Sequence, residues 1–86
     1  MTQCEFVVGN HRGVHARVAA ELARIAMERG PVHMVYDDEI IDCCSALEVL
    51  SLGLAYGTRI IIRTDGDGER EAMAAVEVLL NGPEDT

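Results

Sequence analysis

Apolar residues recur at helical spacing in two long stretches of the chain. Positions 16–29 and 69–81 carry apolar side chains three and four residues apart with charged residues between them, which predicts two amphipathic helices. The core-facing stripes are predicted to contain Ala19, Leu22, Ala23 and Ala26 in the first helix, and Ala72, Val76 and Leu79 in the second. Gly30–Pro31 and Gly82–Pro83 follow these stretches and are typical of helix ends.

Shorter apolar and β-branched stretches predict strands. They cover residues 3–8, 32–36, 39–42 and 58–64. In the first of them, Cys4, Phe6 and Val8 are expected to share one face, because successive side chains alternate across a strand. Asp37–Asp38 is a turn signal, so the second and third strands are expected to form a hairpin.

A third, shorter helix is predicted over residues 46–51. Ser45 followed three residues later by Glu48 matches a capping box, the pattern of a helix start. The element order is then β-α-β-β-α-β-α, without long βαβ crossovers. This order favours an α+β fold in two layers, with a mainly antiparallel sheet and the helices on one face. At 86 residues, the chain is expected to form a single domain, 1–86.

Charge and composition exclude several classes of function. Seven Arg, no Lys and fifteen Asp and Glu give a net charge of −8, which argues against nucleic acids and anionic membranes as partners. Aromatic residues make up only 3%, so stacking platforms for bases are also missing. The charge is uneven, however, since residues 12–29 hold four Arg against two Glu. This local positive excess indicates where an anion would bind.

The cysteines indicate a reducing compartment. Cys4, Cys43 and Cys44 are odd in number, and no signal-peptide pattern precedes them. No stretch approaches the ~20 apolar residues that span a bilayer. We therefore expect a cytoplasmic protein without membrane insertion. Together with His11 and His15, Cys43 and Cys44 fit no zinc-ligand spacing, and neither a metal nor a cofactor is expected.

The chemistry of the chain is concentrated around His15. It precedes the first predicted helix, where unpaired backbone N–H groups and the helix dipole favour anions such as phosphate. Arg17 would add a bidentate positive charge for phosphate oxygens. An imidazole at the mouth of such a site can act as a nucleophile, and phosphoryl transfer depends mainly on positioning and charge stabilisation. A histidine that merely caps the helix or lies in solvent remains an alternative.

The string Gly-Val-His-Ala-Arg-Val-Ala over residues 13–19 resembles a family signature, Gly-Leu-His-(Ala/Thr)-Arg-Pro-Ala. The family is HPr, the histidine-containing phosphocarriers of the bacterial sugar phosphotransferase system. Its second signature, a Ser opening a short helix followed by Leu-Gly-(Leu/Ile/Val) and Gly-(Thr/Asp), is matched by Ser45, 52–54 and 57–58. The resemblance covers nearly the whole chain. It implies an open-faced β-sandwich, in which a four-stranded antiparallel sheet carries three helices on one face, in agreement with the predicted elements.

The resemblance implies a carrier rather than an enzyme. His15 would accept a phosphoryl group on Nδ1 from Enzyme I, which takes it from phosphoenolpyruvate, and would pass it to an Enzyme IIA-type protein. Arg17 would steady the phosphoryl group. Ser45 would match the regulatory serine that a dedicated kinase phosphorylates in many bacteria, although a capping role alone accounts for a serine at this position.

An apolar docking patch on the first two helices is also implied by the resemblance. Its residues here are Ala16, Ala20, Arg24, Ala46, Leu47 and Leu50. A small exposed apolar patch flanked by arginines is typical of a transient partner site. Leu47 and Leu50 can instead belong to the ordinary core. We see no second large apolar surface, and a monomer is expected.

Three positions depart from the family pattern. Val18 replaces a proline that suits the first turn of a helix, so this turn is expected to be slightly looser. Arg12 would add a second phosphate contact, and Glu48 places negative charge on the partner surface. Two alternatives therefore stay open. One is a regulatory paralogue whose phosphorylation state signals to partners without sugar transport, and the other is a module that binds a soluble anion.

Overall fold

The elements of the chain follow the predicted order. A computed structural model describes residues 1–81. The strands are β1 (Thr2–Val7), β2 (Val32–Tyr36), β3 (Glu39–Asp42) and β4 (Arg59–Thr64), and the helices are α1 (Ala16–Arg29), α2 (Ala46–Ser51) and α3 (Glu69–Asn81). The helices, β2 and β3 have the predicted bounds, whereas β1 lies one residue earlier and β4 begins one residue later. The predicted helix end at Gly82–Pro83 lies outside the described residues.

The four strands form one antiparallel sheet in the order β1-β4-β2-β3. The register places Phe6 opposite Ile60 and Met34 opposite Ile62, and all four side chains are buried. They form the floor of a core that the helices cover from one side. The fold is therefore the predicted open-faced α+β sandwich, with one sheet face left uncovered. No helix within residues 1–81 has the length and apolar character needed to cross a membrane.

The hairpin between β2 and β3 turns at the predicted pair of aspartates. Asp37 and Asp38 have φ angles of 54° and 68°, and Tyr36 pairs with Glu39 on either side of them. Two consecutive positive φ angles define a primed turn, whose twist matches that of the flanking strands. Aspartate tolerates this conformation better than most residues.

The first helix buries a wider face than predicted. Ala19, Leu22 and Ala26 are buried as expected, but Ala23 is only half-buried. The buried face also contains Val18 and Ile25, which the prediction omitted. The reason is that α1 packs against the sheet, α2 and α3 together, so a single stripe cannot describe its contacts.

Two further predictions of which side chains are buried, one in α3 and one in β1, were wrong. Leu80 of α3 is fully buried and Leu79 only half-buried, because the core stripe of this helix runs in steps of four through Ala72 and Val76. Cys4 was expected to share the buried face of β1 with Phe6, but it is exposed. Since β1 is an edge strand, the helices leave this end of it uncovered.

Candidate functional site

His15 is the N-cap of α1. Its backbone is extended (φ −90°, ψ −175°), and its carbonyl oxygen accepts the first helical hydrogen bond, from the N–H of Ala19 at 2.9 Å. Its side chain turns back onto the helix start, where Nδ1 accepts a hydrogen bond from the N–H of Arg17 at 3.3 Å. The histidine is half-buried. The helix start thus fixes which ring nitrogen faces α1.

This hydrogen bond selects a tautomer of the imidazole. A ring nitrogen that accepts a hydrogen bond carries its lone pair and no proton, so in neutral His15 the proton belongs on Nε2. The lone pair of Nδ1 is therefore held beside the positive end of the helix dipole. This nitrogen is the nucleophilic atom of the ring, and an electrophile reaching it would lie against the first turn of α1.

The first turn of α1 offers further backbone donors. Within residues 1–81, the N–H groups of Ala16 and Val18 have no acceptor, as is usual for the first amides of a helix. Val18 itself is 4% exposed, so its side chain is anchored in the core while its amide lies in the first turn. Arg12 and Arg17 are both exposed. The residues around Nδ1 therefore supply positive charge and N–H donors suited to an anion.

The loop before His15 is fixed by close backbone contacts. The N–H of Gly13 donates to the carbonyl oxygen of Asn10 at 2.7 Å, and the N–H of Val14 donates to that of Leu54 at 2.9 Å. Gly13 has φ +74°, and a Cβ at this position would overlap the carbonyl oxygen of Leu54. Glycine is therefore required at position 13, because only glycine combines this φ with so close an approach.

Ser45 caps α2 as predicted, but the capping box is incomplete. Its Oγ accepts a hydrogen bond from the N–H of Glu48 at 3.3 Å. The reciprocal bond is absent within residues 1–81, because the N–H of Ser45 donates to the carbonyl oxygen of Asp42 at 3.0 Å instead. The side chain of Glu48 is exposed and free to face solvent or a partner.

The residues of the predicted docking patch lie on two helices that pack side by side. Ala16 and Ala20 of α1 are exposed. Leu47 of α2 is 80% exposed, so it is not a core residue, whereas Leu50 is half-buried and packs against the core. Ala46 is likewise half-buried. Leu47, Ala16 and Ala20 thus leave exposed apolar side chains on these two packed helices.

Arg24, further along α1, forms ion pairs with carboxylates of its own helix. Its guanidinium contacts Glu21 at 2.7 Å and Glu28 at 2.9 Å. The hydrogen bond and charge of Glu21, followed by the charge of Glu28, raise the pKa of Arg24. Glu21 and Glu28 thus largely balance the positive charge of Arg24 in the unbound protein.

Sequence reasoning missed two contacts near the site. Asn10 is buried at 4% exposure, and its Nδ2 donates a hydrogen bond to the carbonyl oxygen of Leu79 in the last turn of α3. His11 and Tyr56 bring the two loops beside the site together, with ring centroids 5.5 Å apart in an edge-on arrangement. Nothing in the sequence pairs these positions, because each contact joins segments that are distant along the chain.

The cysteines do not contribute to this site. Cys43 is buried, and burial followed by the charge of Asp42 raises the pKa of its thiol to about 12. Cys44 is exposed, and its thiol pKa is also raised, first by desolvation and then by Asp42. Among residues 1–81, no three side chains of His, Cys, Asp or Glu are grouped to hold a metal ion.

Fold and site together define a small histidine phosphocarrier protein. A family model described as "PTS HPr component phosphorylation site" matches residues 2–82. The chain belongs to the HPr family of the phosphotransferase system. It is accordingly a phosphoryl carrier and not a catalytic enzyme.

Individual relatives agree in sequence and in structure. The chain is 32% identical over 81 residues to the phosphocarrier protein HPr of Cupriavidus necator, covering 93% of this chain and 91% of that protein. It superposes on the crystal structure of HPr-C-His from Thermoanaerobacter tengcongensis with a TM-score of 0.86 at 27% identity, over 98% and 99% of the two chains. HPr of Bacillus anthracis gives a TM-score of 0.83 at 25% identity, over 92% and 95%.

Proposed function

We propose that His15 is the residue that carries the phosphoryl group, and that it receives the group from Enzyme I and delivers it to an Enzyme IIA-type protein in the cytoplasm. The main support for this proposal is the position of Nδ1 of His15, which accepts a hydrogen bond from the N–H of Arg17 at the start of α1. The nucleophilic lone pair and the donors for an anion are thus side by side.

The transfer needs no co-reactant besides the donor. The lone pair of Nδ1 forms a new bond to phosphorus as the bond between phosphorus and the donor atom breaks, and the donor atom keeps that electron pair. The proton on Nε2 of His15 stays in place. As the Nδ1–phosphorus bond forms, the N–H of Arg17 is released from the ring nitrogen and becomes available to a phosphoryl oxygen.

The phosphoryl group would be held by backbone and side chain together. The N–H groups of Ala16, Arg17 and Val18 belong to the first turn of α1, at the positive end of the helix that His15 caps. The guanidinium of Arg17 would add a charge-assisted contact. Val18, in the place of the family's proline, keeps its N–H and so offers one backbone donor more than a proline would.

Partners would dock on the surface beside the phosphoryl group. That surface consists of Ala16, Ala20, Arg24, Ala46, Leu47 and Leu50, in which Leu47 is the large exposed apolar residue. Arg24 would contribute little net attraction while Glu21 and Glu28 balance it. Glu48 adds a negative charge at the edge of the surface. We therefore expect weaker binding to partners with strongly acidic faces, while the chain acts as a monomer.

Ser45 is the candidate for regulation by a serine kinase. It lies at the start of α2, one residue from this docking surface, and is half-buried. A phosphate on its Oγ would suit the positive end of the helix but would add charge beside Glu48 and Asp42. The expected effect is repulsion of acidic partners without loss of the fold.

Mass spectrometry after incubation with phosphoenolpyruvate and catalytic Enzyme I tests the proposal. The expected result is one added phosphoryl group that is lost in mild acid and is absent from His15→Ala. A folded protein that stays unmodified, with an Enzyme I that phosphorylates a control carrier, would contradict it. Capture of partners by the phosphorylated and free forms then separates a sugar-transport carrier from the regulatory alternative.

A further inference from the structure

Asn10 is buried in the loop that leads from β1 to His15, the proposed phosphoryl acceptor. Within residues 1–81, the buried polar side chains are those of Asn10, at 4% exposure, and Thr64, at 0%. Thr64 belongs to β4, far along the chain from the site. Asn10 belongs to the loop that leads from β1 to His15, five residues before the phosphoryl acceptor.

The side chain of Asn10 anchors this loop to the end of α3. Its Nδ2 donates a hydrogen bond to the carbonyl oxygen of Leu79 at 3.0 Å, and the neighbouring N–H of Gly9 donates to that of Leu80 at 2.8 Å. The last carbonyls of a helix have no partner within the helix, so they are available acceptors. Two donors of the loop are therefore paired with two carbonyl oxygens in the last turn of α3.

From Asn10, a short series of backbone hydrogen bonds reaches His15. The carbonyl oxygen of Asn10 accepts from the N–H of Gly13 at 2.7 Å, and the carbonyl oxygen of Gly13 accepts from the N–H of His15 at 3.1 Å. On the other side, Val14 is bonded to Leu54. A displacement of Asn10 would thus be passed to the residue whose Nδ1 must meet the start of α1.

The Oδ1 atom of Asn10 is buried and has no hydrogen-bond partner within residues 1–81. An unpaired buried acceptor costs stability, so the amide is retained at a cost. We propose that Asn10 is a positioning residue for phosphoryl transfer: by anchoring the turn over residues 10–13 to the last carbonyls of α3, it holds Nδ1 of His15 against the start of α1. This inference rests on the proposed role of His15.

Thr64 provides a matched control for the test. Its Oγ1 donates to the carbonyl oxygen of Glu69 at 2.9 Å, so it too is a buried side chain bonded to a carbonyl of α3, but at the opposite end of the helix. Asn10→Ala and Thr64→Val each remove one such bond. Both variants are expected to lower the denaturation midpoint. Only Asn10→Ala should slow phosphoryl transfer from Enzyme I, on the order of tenfold, because a small misplacement of the acceptor is costly.

Nuclear magnetic resonance of the unphosphorylated protein distinguishes a positioning role of Asn10 from a contribution to stability alone. Asn10→Ala is expected to shift the Nδ1 resonance of His15 and the amide resonance of Arg17, whereas Thr64→Val leaves both in place. Asn10→Asp, of equal size but without a donor when ionised, should act like Asn10→Ala and serves if that variant does not fold. Asn10 variants with wild-type transfer rates and unshifted resonances would overturn the proposal. If the wild-type protein accepts no phosphoryl group, the proposed function fails, while the resonances still report whether Asn10 positions His15.

Discussion

The N–H of Arg17 donates a 3.3 Å hydrogen bond to Nδ1 of His15, so the second residue of α1 contacts the ring nitrogen that we propose as the phosphoryl acceptor. The same bond caps α1 and requires Nδ1 to carry its lone pair and no proton. Nδ1 of His15 is therefore both the capping atom of α1 and the proposed nucleophile.

Substituting His15 should separate capping from phosphoryl transfer. His15→Ala removes both the cap and the acceptor, and we expect a loss of about 1 kcal/mol in the free energy of unfolding as well as loss of phosphorylation. His15→Asn keeps a side-chain acceptor at the N-cap, so its stability should remain close to the wild type while phosphorylation is lost. Chemical denaturation and mass spectrometry measure the two effects. Equal destabilisation by Asn and Ala would show that the side chain does not cap α1.

Gly13→Ala should be far more disruptive than Gly53→Ala. Both glycines have positive φ, +74° and +64°, but a Cβ at Gly13 would overlap the carbonyl oxygen of Leu54, whereas nothing lies within 4 Å of one at Gly53. Gly53→Ala is expected to cost about 1–2 kcal/mol from the backbone alone. Gly13→Ala adds the clash, and should also slow phosphoryl transfer by moving the loop before His15. Similar denaturation midpoints for the two variants would contradict the tight packing of Gly13 on Leu54.

Loss of the hydroxyl of Ser45 should weaken α2. Ser45→Ala removes the acceptor for the N–H of Glu48, and a loss of about 1 kcal/mol is expected. Ser45→Asp restores an acceptor and should recover most of that stability, while its charge lowers the affinity for acidic partners. Ser51→Ala is the control, since it removes a hydroxyl from the last turn of the same helix. Denaturation curves of the three variants test whether Ser45 stabilises the start of α2. If Ser51→Ala is as destabilised as Ser45→Ala, the side chain of Ser45 has no specific capping role.

The buried thiol of Cys43 should make stability fall at alkaline pH. Its pKa is raised to about 12 in the folded protein, from an ordinary value of 9.0. The unfolded chain therefore loses this proton before the folded protein does. The contribution to stability is complete below pH 9 and is lost as the pH rises towards 12, which amounts to a few kcal/mol.

Denaturation between pH 8 and 11 tests the thiol of Cys43. Cys43→Ala should show a shallower decline in the free energy of unfolding than the wild type, although its value at neutral pH is lower because the side chain is smaller. Cys44→Ala, at an exposed neighbouring position, serves as the control and should follow the wild-type slope more closely. The same pH dependence of the free energy of unfolding in all three proteins would refute a raised pKa for the Cys43 thiol.

Leu47 should contribute to partner binding and not to folding. It is 80% exposed on α2, so Leu47→Ala is expected to change stability by less than about 0.5 kcal/mol. If it is central to the docking surface, the affinity for Enzyme I should fall about tenfold. Val78→Ala alters a side chain that is 73% exposed on α3 and provides the matched control. Calorimetric titration with Enzyme I compares them, and equal affinities would remove Leu47 from the docking surface.

Local sequence patterns were sufficient for most of the fold. The helical period of residues 16–29 and the turn at Asp37–Asp38 depend on neighbours within one or two turns, so they are visible without tertiary information. The same holds for the helix starts at His15 and Ser45, where a single side chain meets a backbone N–H two or three residues later.

What the sequence did not predict depends on contacts between distant segments. The burial of Asn10 follows from the last turn of α3, and the exposure of Cys4 follows from the place of β1 at the sheet edge. Leu80 lies in the core while Leu79 is only half-buried, a choice between neighbouring residues that depends on how α3 packs on the rest of the fold. None of these relationships has a local signature, since each is decided by how finished elements pack.

The bond between Asn10 and Leu79 joins residues 69 positions apart, near opposite ends of the described chain. During synthesis on the ribosome, His15 emerges well before α3, which supplies the acceptor for the side chain of Asn10. A partly made chain therefore exposes His15 without the support that α3 provides. By our proposal, Nδ1 of His15 is positioned for phosphoryl transfer only after α3 has been made.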